Sequence, residues 1–307
     1  MNQRLTAVPQ NDSLPKGIQR IRPLPDAELE TLWNSIVVDD DVKKRLVGQS
    51  VVNFTLRRNV ARSVLPLHGV ILLVGEPGTG KTSLARGLAS RVASTMRGSK
   101  GFRLLEVEPH SLTSSAMGRT QRAVSDLFAQ AIGEAAMGGP TIVLLDEVET
   151  LAADRSKLSM DANPIDIHRA TDAVLVQLDA LAEQFPDLLF IATSNFPEAV
   201  DSAFTSRCDL VITVPLPDQQ ACRQILSDCL SGLARTFPKL STLSESAALD
   251  ACAKACVGLD GRAVRKAVAA AIARDLKVAV DPGLLSSELL LAALEAAKAA
   301  RSGGPCR

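Results

Sequence analysis

The segment Gly-Glu-Pro-Gly-Thr-Gly-Lys-Thr, residues 75–82, has the spacing of a P-loop. It follows an apolar run at 70–74 and precedes a stretch at 83–92 that favours a helix. Glycines let backbone N–H groups surround a triphosphate at a helix N-terminus, lysine reaches the β- and γ-phosphates, and threonine ligates Mg²⁺. The apolar run before this segment and the predicted helix after it argue against a glycine-rich turn with a purely structural role. The residues assigned to nucleotide binding are Gly75, Glu76, Pro77, Gly78, Thr79, Gly80, Lys81, Thr82 and Ser83, and Thr82 is also assigned to the metal.

Two acidic residues, Asp146 and Glu147, follow an apolar run at 141–145 that is typical of a buried parallel strand. Asp146 is expected to hold Mg²⁺ through water, and Glu147 to orient the water that attacks the γ-phosphate. Acidic residues also occur at helix starts for structural reasons alone. Beside a P-loop the pair favours hydrolysis, because binding alone would not need Glu147.

Two further polar residues follow later predicted strands. Asn195 comes after the apolar run 188–193 and can hydrogen-bond the γ-phosphate or the attacking water, although a turn residue is the alternative. Arg207 precedes the strand predicted at 210–214 and cannot easily reach its own phosphate. We expect it to serve a neighbouring subunit as an arginine finger, with a surface salt bridge as the alternative.

One more cation, Arg262, lies where a turn at 258–261 leads into a helix rich in alanine and valine. A cation is locally unfavourable at a helix N-terminus. We therefore expect Arg262 to bind an external anion, and the bound nucleotide is the obvious candidate.

Together these elements resemble the AAA+ ATPases. Several segments narrow the resemblance to the pachytene-checkpoint family, whose members remodel HORMA-domain proteins, and in particular to its compact bacterial members from anti-phage operons of the CBASS type. The segments are 32–38 with 41–43, 144–151, 163–164 with 173–179, and 258–262, and the similarity runs from about residue 28 to about residue 273.

The resemblance implies a role for each residue. Glu147 would be the catalytic acid of the second Walker motif, Asn195 sensor 1, Arg207 the finger, and Arg262 sensor 2. The nucleotide would also contact Gly261, Asp146 and an adenine pocket lined by Ile36, Val37 and Val38. The implied cofactors are ATP and Mg²⁺.

The family's central pore loop would fall at 111–119, with substrate contacts from Ala116, Met117 and Gly118. An aromatic residue is usual there, whereas this chain has Ala116-Met117. Methionine is flexible and apolar, so it could grip a threaded chain with less contact area, and the alternative role for Met117 is to fill a gap in the core.

The predicted fold class is α/β, an AAA+ P-loop domain with a doubly wound parallel sheet, followed by a small C-terminal helical lid domain. The expected organisation is a flexible leader at 1–27, the α/β domain at 28–217, the lid at 218–300 and a disordered tail at 301–307. The lid helices are predicted at 246–255, 263–278 and 286–300.

Composition excludes several other classes. The 34 basic and 34 acidic residues cancel, so no global field attracts nucleic acid. No apolar run is long enough to span a membrane and no signal peptide is evident, which predicts a cytoplasmic protein. The six cysteines and three histidines form no zinc motif.

The resemblance implies a homohexameric ring that pulls on a HORMA-domain partner bound to a second-messenger synthase. An arginine finger acting between subunits requires such a ring. Two alternatives stay open at this point: a DNA-acting AAA+ ATPase of the clamp-loader or branch-migration type, and a nucleotide-gated scaffold that does not hydrolyse ATP.

Overall fold

The chain, as a computed structural model, is described for residues 14–96, 101–109, 112, 119–154, 164–244 and 247–302. It divides into two compact units. The first consists of Met1–Trp33, Asp41–Val74 and Thr82–Thr213, and the second of Asn34–Asp40, Gly75–Lys81 and Val214–Arg307. The second unit begins close to the boundary predicted after residue 217, but it also takes in two short segments that are distant in sequence.

The first unit contains a six-stranded sheet. Its strands are β1 (Ile18–Pro23), β2 (Val70–Val74), β3 (Arg103–Val107), β4 (Thr141–Leu145), β5 (Leu188–Ser194) and β6 (Leu210–Thr213). Their order is β1-β3-β4-β5-β2-β6, and all neighbours are parallel except β1 and β3. The predicted α/β class is therefore confirmed, with one antiparallel edge strand that was not expected.

The edge strand β1 corrects the prediction of a flexible leader at 1–27. Ile18 faces Val107 across the antiparallel pair, and the side chains of Ile18 and Leu24 are buried. The prolines of this region suggested an unstructured segment, but proline is tolerated on an edge strand because one side of that strand needs no hydrogen-bond partner. Local composition could not reveal that β3 was available for pairing.

Strands β2, β4 and β5 are buried along their whole length, as expected for parallel strands covered on both faces. Their register aligns their carboxyl ends: Val74 of β2 pairs with Ser194 of β5, and Leu145 of β4 pairs with Ala192. The polar residues that follow β4 and β5 therefore emerge at the same edge of the sheet.

Helices cover this sheet. They are α1 (Ala27–Ser35), α2 (Asp40–Asn59), α3 (Lys81–Thr95), α4 (Arg119–Asp126), a π-helical turn (Leu127–Ile132), α5 (Gly133–Met137), α6 (Pro164–Gln184) and α7 (Ser202–Thr205). In the core, Phe128 of the π-helical turn stacks on Phe190 of β5 with ring centroids 5.9 Å apart. The helix predicted after the P-loop is confirmed by α3.

We expect Phe190→Ala to destabilise the first unit by about 3–5 kcal/mol, because it removes a fully buried ring from a close-packed core. Urea denaturation of the full chain measures the loss. Phe196→Ala is the matched control: Phe196 is half exposed, so its truncation should cost less than about 1 kcal/mol. Equal costs for the two variants would contradict the packing argument.

The second unit is mainly helical. It contains α8 (Gln219–Ala234), α9 (Ser241–Ser244), α10 (Ala248–Cys256), α11 (Gly261–Ala273), α12 (Leu276–Val280) and α13 (Ser287–Ser302), which enclose an apolar core. Asp218 caps α8 by accepting a hydrogen bond from the Ala221 amide at 2.7 Å. Among the residues described here, no helix is both long enough and apolar enough to cross a membrane.

Two lid predictions need correction. The helix predicted at 263–278 is interrupted, because Asp275 accepts a hydrogen bond from the Lys277 amide at 2.7 Å and starts the separate helix α12. The last helix also extends to Ser302, so Arg301 is helical and not part of a disordered tail. The remaining tail, 303–307, lies outside the described residues.

Candidate functional site

Residues 75–81 of the P-loop lie in the second unit, and their backbone depends on glycine. Gly75, Gly78 and Gly80 have φ angles of 151°, 85° and 96°, which side chains rarely permit. The surrounding atoms also leave no room for a side chain at two of these glycines. A Cβ on Gly75 would lie 2.4 Å from the Val214 carbonyl oxygen, and one on Gly78 would lie 2.2 Å from Asp260 Oδ1. The loop therefore forms a cradle of bare backbone, the kind of surface that accepts phosphate.

Lys81 ends this loop and is almost fully buried. Its Nζ donates hydrogen bonds to the carbonyl oxygens of Gly75 at 2.8 Å and Glu76 at 2.9 Å, which holds the ammonium group over the loop. The first turn of α3 itself contains no acidic residue, and the N-terminus of a helix favours anions. The glycine-rich backbone and the Lys81 ammonium group together suit the phosphate chain of a nucleotide.

In the first unit, Thr82 and Asp146 make direct contact. Thr82 Oγ1 donates a hydrogen bond to Asp146 Oδ1 at 2.8 Å, and Thr193 Oγ1 donates to the same oxygen at 2.5 Å. Hydroxyl and carboxylate oxygens are the ligands that Mg²⁺ prefers, and this ion usually takes only one or two protein ligands beside phosphates and water. Thr82 and Asp146 fit the role of these protein ligands. Among the residues described, no cluster of three or more His, Cys, Asp or Glu side chains suits a metal.

Glu147 has an unusual backbone. Its φ of 53° and ψ of 55° place it in the left-handed region, the one non-glycine residue with positive φ in the described part of the chain. Its amide donates to Thr193 Oγ1 at 3.1 Å. Such conformations are strained, persist only where the surroundings enforce them, and cluster at active sites.

The Glu147 carboxylate meets Asn195, as expected from the alignment of β4 and β5. Asn195 Nδ2 donates to Glu147 Oε1 at 3.1 Å, and the Asn195 amide donates to Glu149 Oε1 at 3.1 Å. The other oxygen of Glu149 is buried and has no hydrogen-bond partner among the described residues. Hydrogen bonds thus join the loop after β4 to the loop after β5. They bring together an acid and an amide, the two groups that hydrolysis would require.

Sequence reasoning missed Thr193 and Glu149. A hydroxyl residue near the end of the otherwise apolar strand β5 was the available signal for Thr193, and a second acid two residues after Glu147 was the signal for Glu149. Each acts through tertiary hydrogen bonds that span more than forty residues of sequence, so neither could be assigned from its neighbours.

Arg207 forms the intrachain salt bridge that was its alternative role. Its guanidinium binds Asp179 through Nη2 to Oδ2 at 2.7 Å and through Nε at 3.1 Å, while Nη1 donates to the Ala203 carbonyl oxygen at 2.8 Å. Asp179 also lies 3.3 Å from Arg62 and 3.4 Å from His68 Nε2. The hydrogen bond from Arg207 lowers the pKa of Asp179, and Asp179 in turn raises the pKa of Arg207. Asp179 is therefore an anchor that holds Arg207 in a defined orientation.

The residues predicted for sensor 2 and for the adenine pocket lie in the second unit. Arg262 is exposed in the first turn of α11, which Asp260 caps by accepting hydrogen bonds from the Arg262 amide at 3.0 Å and the Ala263 amide at 2.9 Å. Ile36 Cδ1 lies 3.2 Å from the position that a Cβ on Gly80 would take, so this side chain borders the P-loop.

The other two residues predicted for the adenine pocket are half-buried, and Val37 packs against the apolar core of the second unit. Gly261 opens α11, next to Arg262. The predicted pore-loop residues Ala116, Met117 and Gly118 lie outside the described residues.

Comparison with known proteins adds independent information. Residues 71–216 match the model of the ATPase family associated with various cellular activities (AAA). CD-NTase-associated protein 6 of Pseudomonas aeruginosa is 66% identical over 301 residues, which cover 98% of this chain and 99% of that protein.

A eukaryotic relative and a solved structure extend the comparison. The Pachytene checkpoint protein 2 homolog of Gallus gallus is 35% identical over 230 residues, 72% of this chain, and this match spans about half of that protein, 52%. The structure of the E. coli MS115-1 HORMA:CdnC:Trip13 complex contains a chain with a TM-score of 0.71 at 20% identity, covering 90% of this chain and 94% of that one. At that identity the match concerns the fold.

Proposed function

Because the chain belongs to the AAA ATPases and, within them, to the family of CD-NTase-associated protein 6 and the Pachytene checkpoint protein 2 homologs, we propose that it hydrolyses ATP to remodel a HORMA-domain protein. The observation that carries hydrolysis, rather than binding alone, is the contact between the strained Glu147 and Asn195. A site that only held nucleotide would need neither residue.

The chemistry follows from the side chains present. The glycine-rich backbone and Lys81 bind the phosphates, and Thr82 with Asp146 holds Mg²⁺, which supplies positive charge to the phosphate oxygens when bound. Asn195 fixes the Glu147 carboxylate through Oε1, so that this carboxylate accepts a hydrogen bond from the attacking water and points it at the γ-phosphate.

The proposal also includes a homohexamer, in which Arg207 of one subunit acts at the nucleotide site of its neighbour. Asp179 binds one edge of the Arg207 guanidinium, through Nε and Nη2, which orients the arginine before a second copy docks. A preorganised cation stabilises the charge that develops during phosphoryl transfer without the entropic cost of ordering a long side chain. Arg262, exposed on α11, would contact the nucleotide as sensor 2.

The partner part of the proposal rests on the relatives. The name of the Pseudomonas aeruginosa protein associates it with a CD-NTase, and the E. coli structure contains a HORMA protein, CdnC and Trip13 together. A HORMA-domain protein bound to a second-messenger synthase is accordingly the proposed substrate. The pore loop with Met117 would pull on it, and a cytoplasmic location is part of the same proposal.

The test combines the full chain, a HORMA protein bound to its synthase, and ATP with Mg²⁺. We expect the synthase to be released in a reaction that needs ATP hydrolysis, as followed by size-exclusion chromatography. ADP is the control and should release nothing. ATP turnover with no release of the synthase would overturn the assigned substrate, and turnover stimulated by DNA instead would favour the DNA-acting alternative.

Thr82→Val is expected to weaken Mg²⁺-dependent ATP binding about tenfold, because valine keeps the shape of threonine but lacks the hydroxyl that contacts Asp146. Isothermal titration with and without Mg²⁺ measures the effect. Thr95→Val is the matched control at the other end of α3, where the hydroxyl donates a hydrogen bond to the Arg91 carbonyl oxygen. A variant that lost the same affinity without Mg²⁺ would argue against a metal-binding role.

A further inference from the structure

Arg301, in the last turn of α13, joins two carboxylates. Its Nη1 lies 3.1 Å from Asp260 Oδ2, and its Nη2 hydrogen-bonds Glu76 Oε2. Both carboxylates belong to the same unit as Arg301. The guanidinium is about one-third exposed and Asp260 is less so, 17%. A planar fork of donors suits this arrangement, since one arginine can bind two acids in fixed directions.

Both acids sit on nucleotide-binding elements. Glu76 is the second residue of the P-loop, and its carbonyl oxygen accepts the hydrogen bond from Lys81 Nζ. Asp260 caps α11, the helix that carries Arg262 in its first turn. The same Asp260 carboxylate lies so close to Gly78 that no side chain fits between them. Arg301 therefore ties the phosphate-binding loop to the start of α11.

The charges in this cluster have a direct consequence for an anionic ligand. Glu76 and Asp260 place two negative charges beside a loop built to receive a triphosphate, and each would repel that ligand. The positive charge of the Arg301 guanidinium offsets this repulsion. It also restrains the side chains of both acids through hydrogen bonds.

We propose that Arg301 is a positioning residue for the nucleotide: it neutralises Glu76 and Asp260 and holds the P-loop against the start of α11, so that the loop accepts a triphosphate. This inference rests on the nucleotide-binding part of the proposed function, and it is independent of the remodelling part. It assigns the C-terminal helix a role in nucleotide affinity.

The experiment measures equilibrium binding of fluorescently labelled ATP and ADP to the full chain. Arg301→Gln should raise the dissociation constant for ATP about fivefold, and that for ADP less, because ADP carries less charge. The ATP defect should shrink at high salt, where these partly exposed charges are screened. Arg274→Gln is the matched control, since Arg274 is exposed at the end of α11, and it should bind ATP like the wild type.

A second substitution separates charge from general damage. Adding Glu76→Gln to Arg301→Gln removes one of the two uncompensated acids and should restore much of the ATP affinity. A purely structural defect would not be rescued in this way. Arg301→Lys keeps the charge but loses the planar donors of the guanidinium, so we expect an intermediate ATP affinity. This milder variant replaces Arg301→Gln if the latter shows no cooperative thermal unfolding.

The outcomes separate this inference from the proposed function. If the wild type binds ATP and Arg301→Gln binds it equally well, the positioning role is overturned while the ATPase proposal stands. A defect that persists at high salt and resists rescue by Glu76→Gln would also overturn it. If the wild type binds no nucleotide, the proposed function fails, and this inference fails with it.

Discussion

Glu147→Gln is expected to lower ATP turnover by at least about 100-fold while ATP affinity stays near the wild-type value. Glutamine keeps the size of the side chain and can still hydrogen-bond Asn195, but it cannot accept the proton of the attacking water. The measurement pairs a phosphate-release assay with ATP titration. Glu134→Gln, an exposed acid on α5, is the matched control and should turn over ATP at the wild-type rate.

The same variant tests the substrate assignment. A chain that binds ATP without hydrolysing it should stay closed on its partner, so a pull-down with Glu147→Gln should retain a HORMA-domain protein. Retention of DNA alone would leave the ATPase assignment intact and reopen the substrate class. Wild-type turnover by Glu147→Gln would instead remove Glu147 from the catalytic role.

Arg207→Ala is expected to reduce turnover by about 1000-fold, the loss typical of a missing arginine finger. Arg62→Ala is the matched control: Arg62 contacts the same Asp179 carboxylate, so its loss perturbs that anchor without removing the finger. We expect a much smaller effect for Arg62→Ala. Similar losses in both variants would indicate that the Asp179 cluster matters for folding rather than for phosphoryl transfer.

Mixing the two inactive variants tests whether Arg207 acts between subunits. An Arg207→Ala subunit keeps Glu147, and a Glu147→Gln subunit keeps Arg207, so a mixed ring contains complete sites only if the arginine comes from the neighbour. Recovery of turnover on mixing is the expected result. If mixtures stay inactive although mixed rings form, Arg207 does not act in trans.

The local motifs were accessible from the sequence because their chemistry depends on contiguous residues. A P-loop works through backbone amides and a lysine within eight positions, so the spacing of Gly75, Gly78, Gly80 and Lys81 alone predicts a phosphate cradle. Likewise, an apolar run followed by polar residues predicts a buried parallel strand with functional groups at its carboxyl end. The contact between Glu147 and Asn195 follows from that rule.

Other features could not be predicted because they depend on residues that only the fold brings together. Pairing of β1 with β3 needs a free sheet edge, which no local pattern records. The left-handed backbone of Glu147 is enforced by surroundings that include Thr193, forty-six residues later. The composition of residues 301–307 suggested a disordered tail. Arg301 is instead helical, and the carboxylates of Glu76 and Asp260, which are distant in the sequence, hold its side chain.

The sequence by itself thus determined the α/β class and the P-loop, and it singled out the residues that we propose for hydrolysis, since short-range covalent spacing and strand periodicity suffice for these. The tertiary structure alone decided that Asp179 holds Arg207 and that Arg301 bridges Glu76 and Asp260. Ion pairs of this kind depend on distances and angles between side chains in space, and neither residue type nor sequence separation specifies those distances.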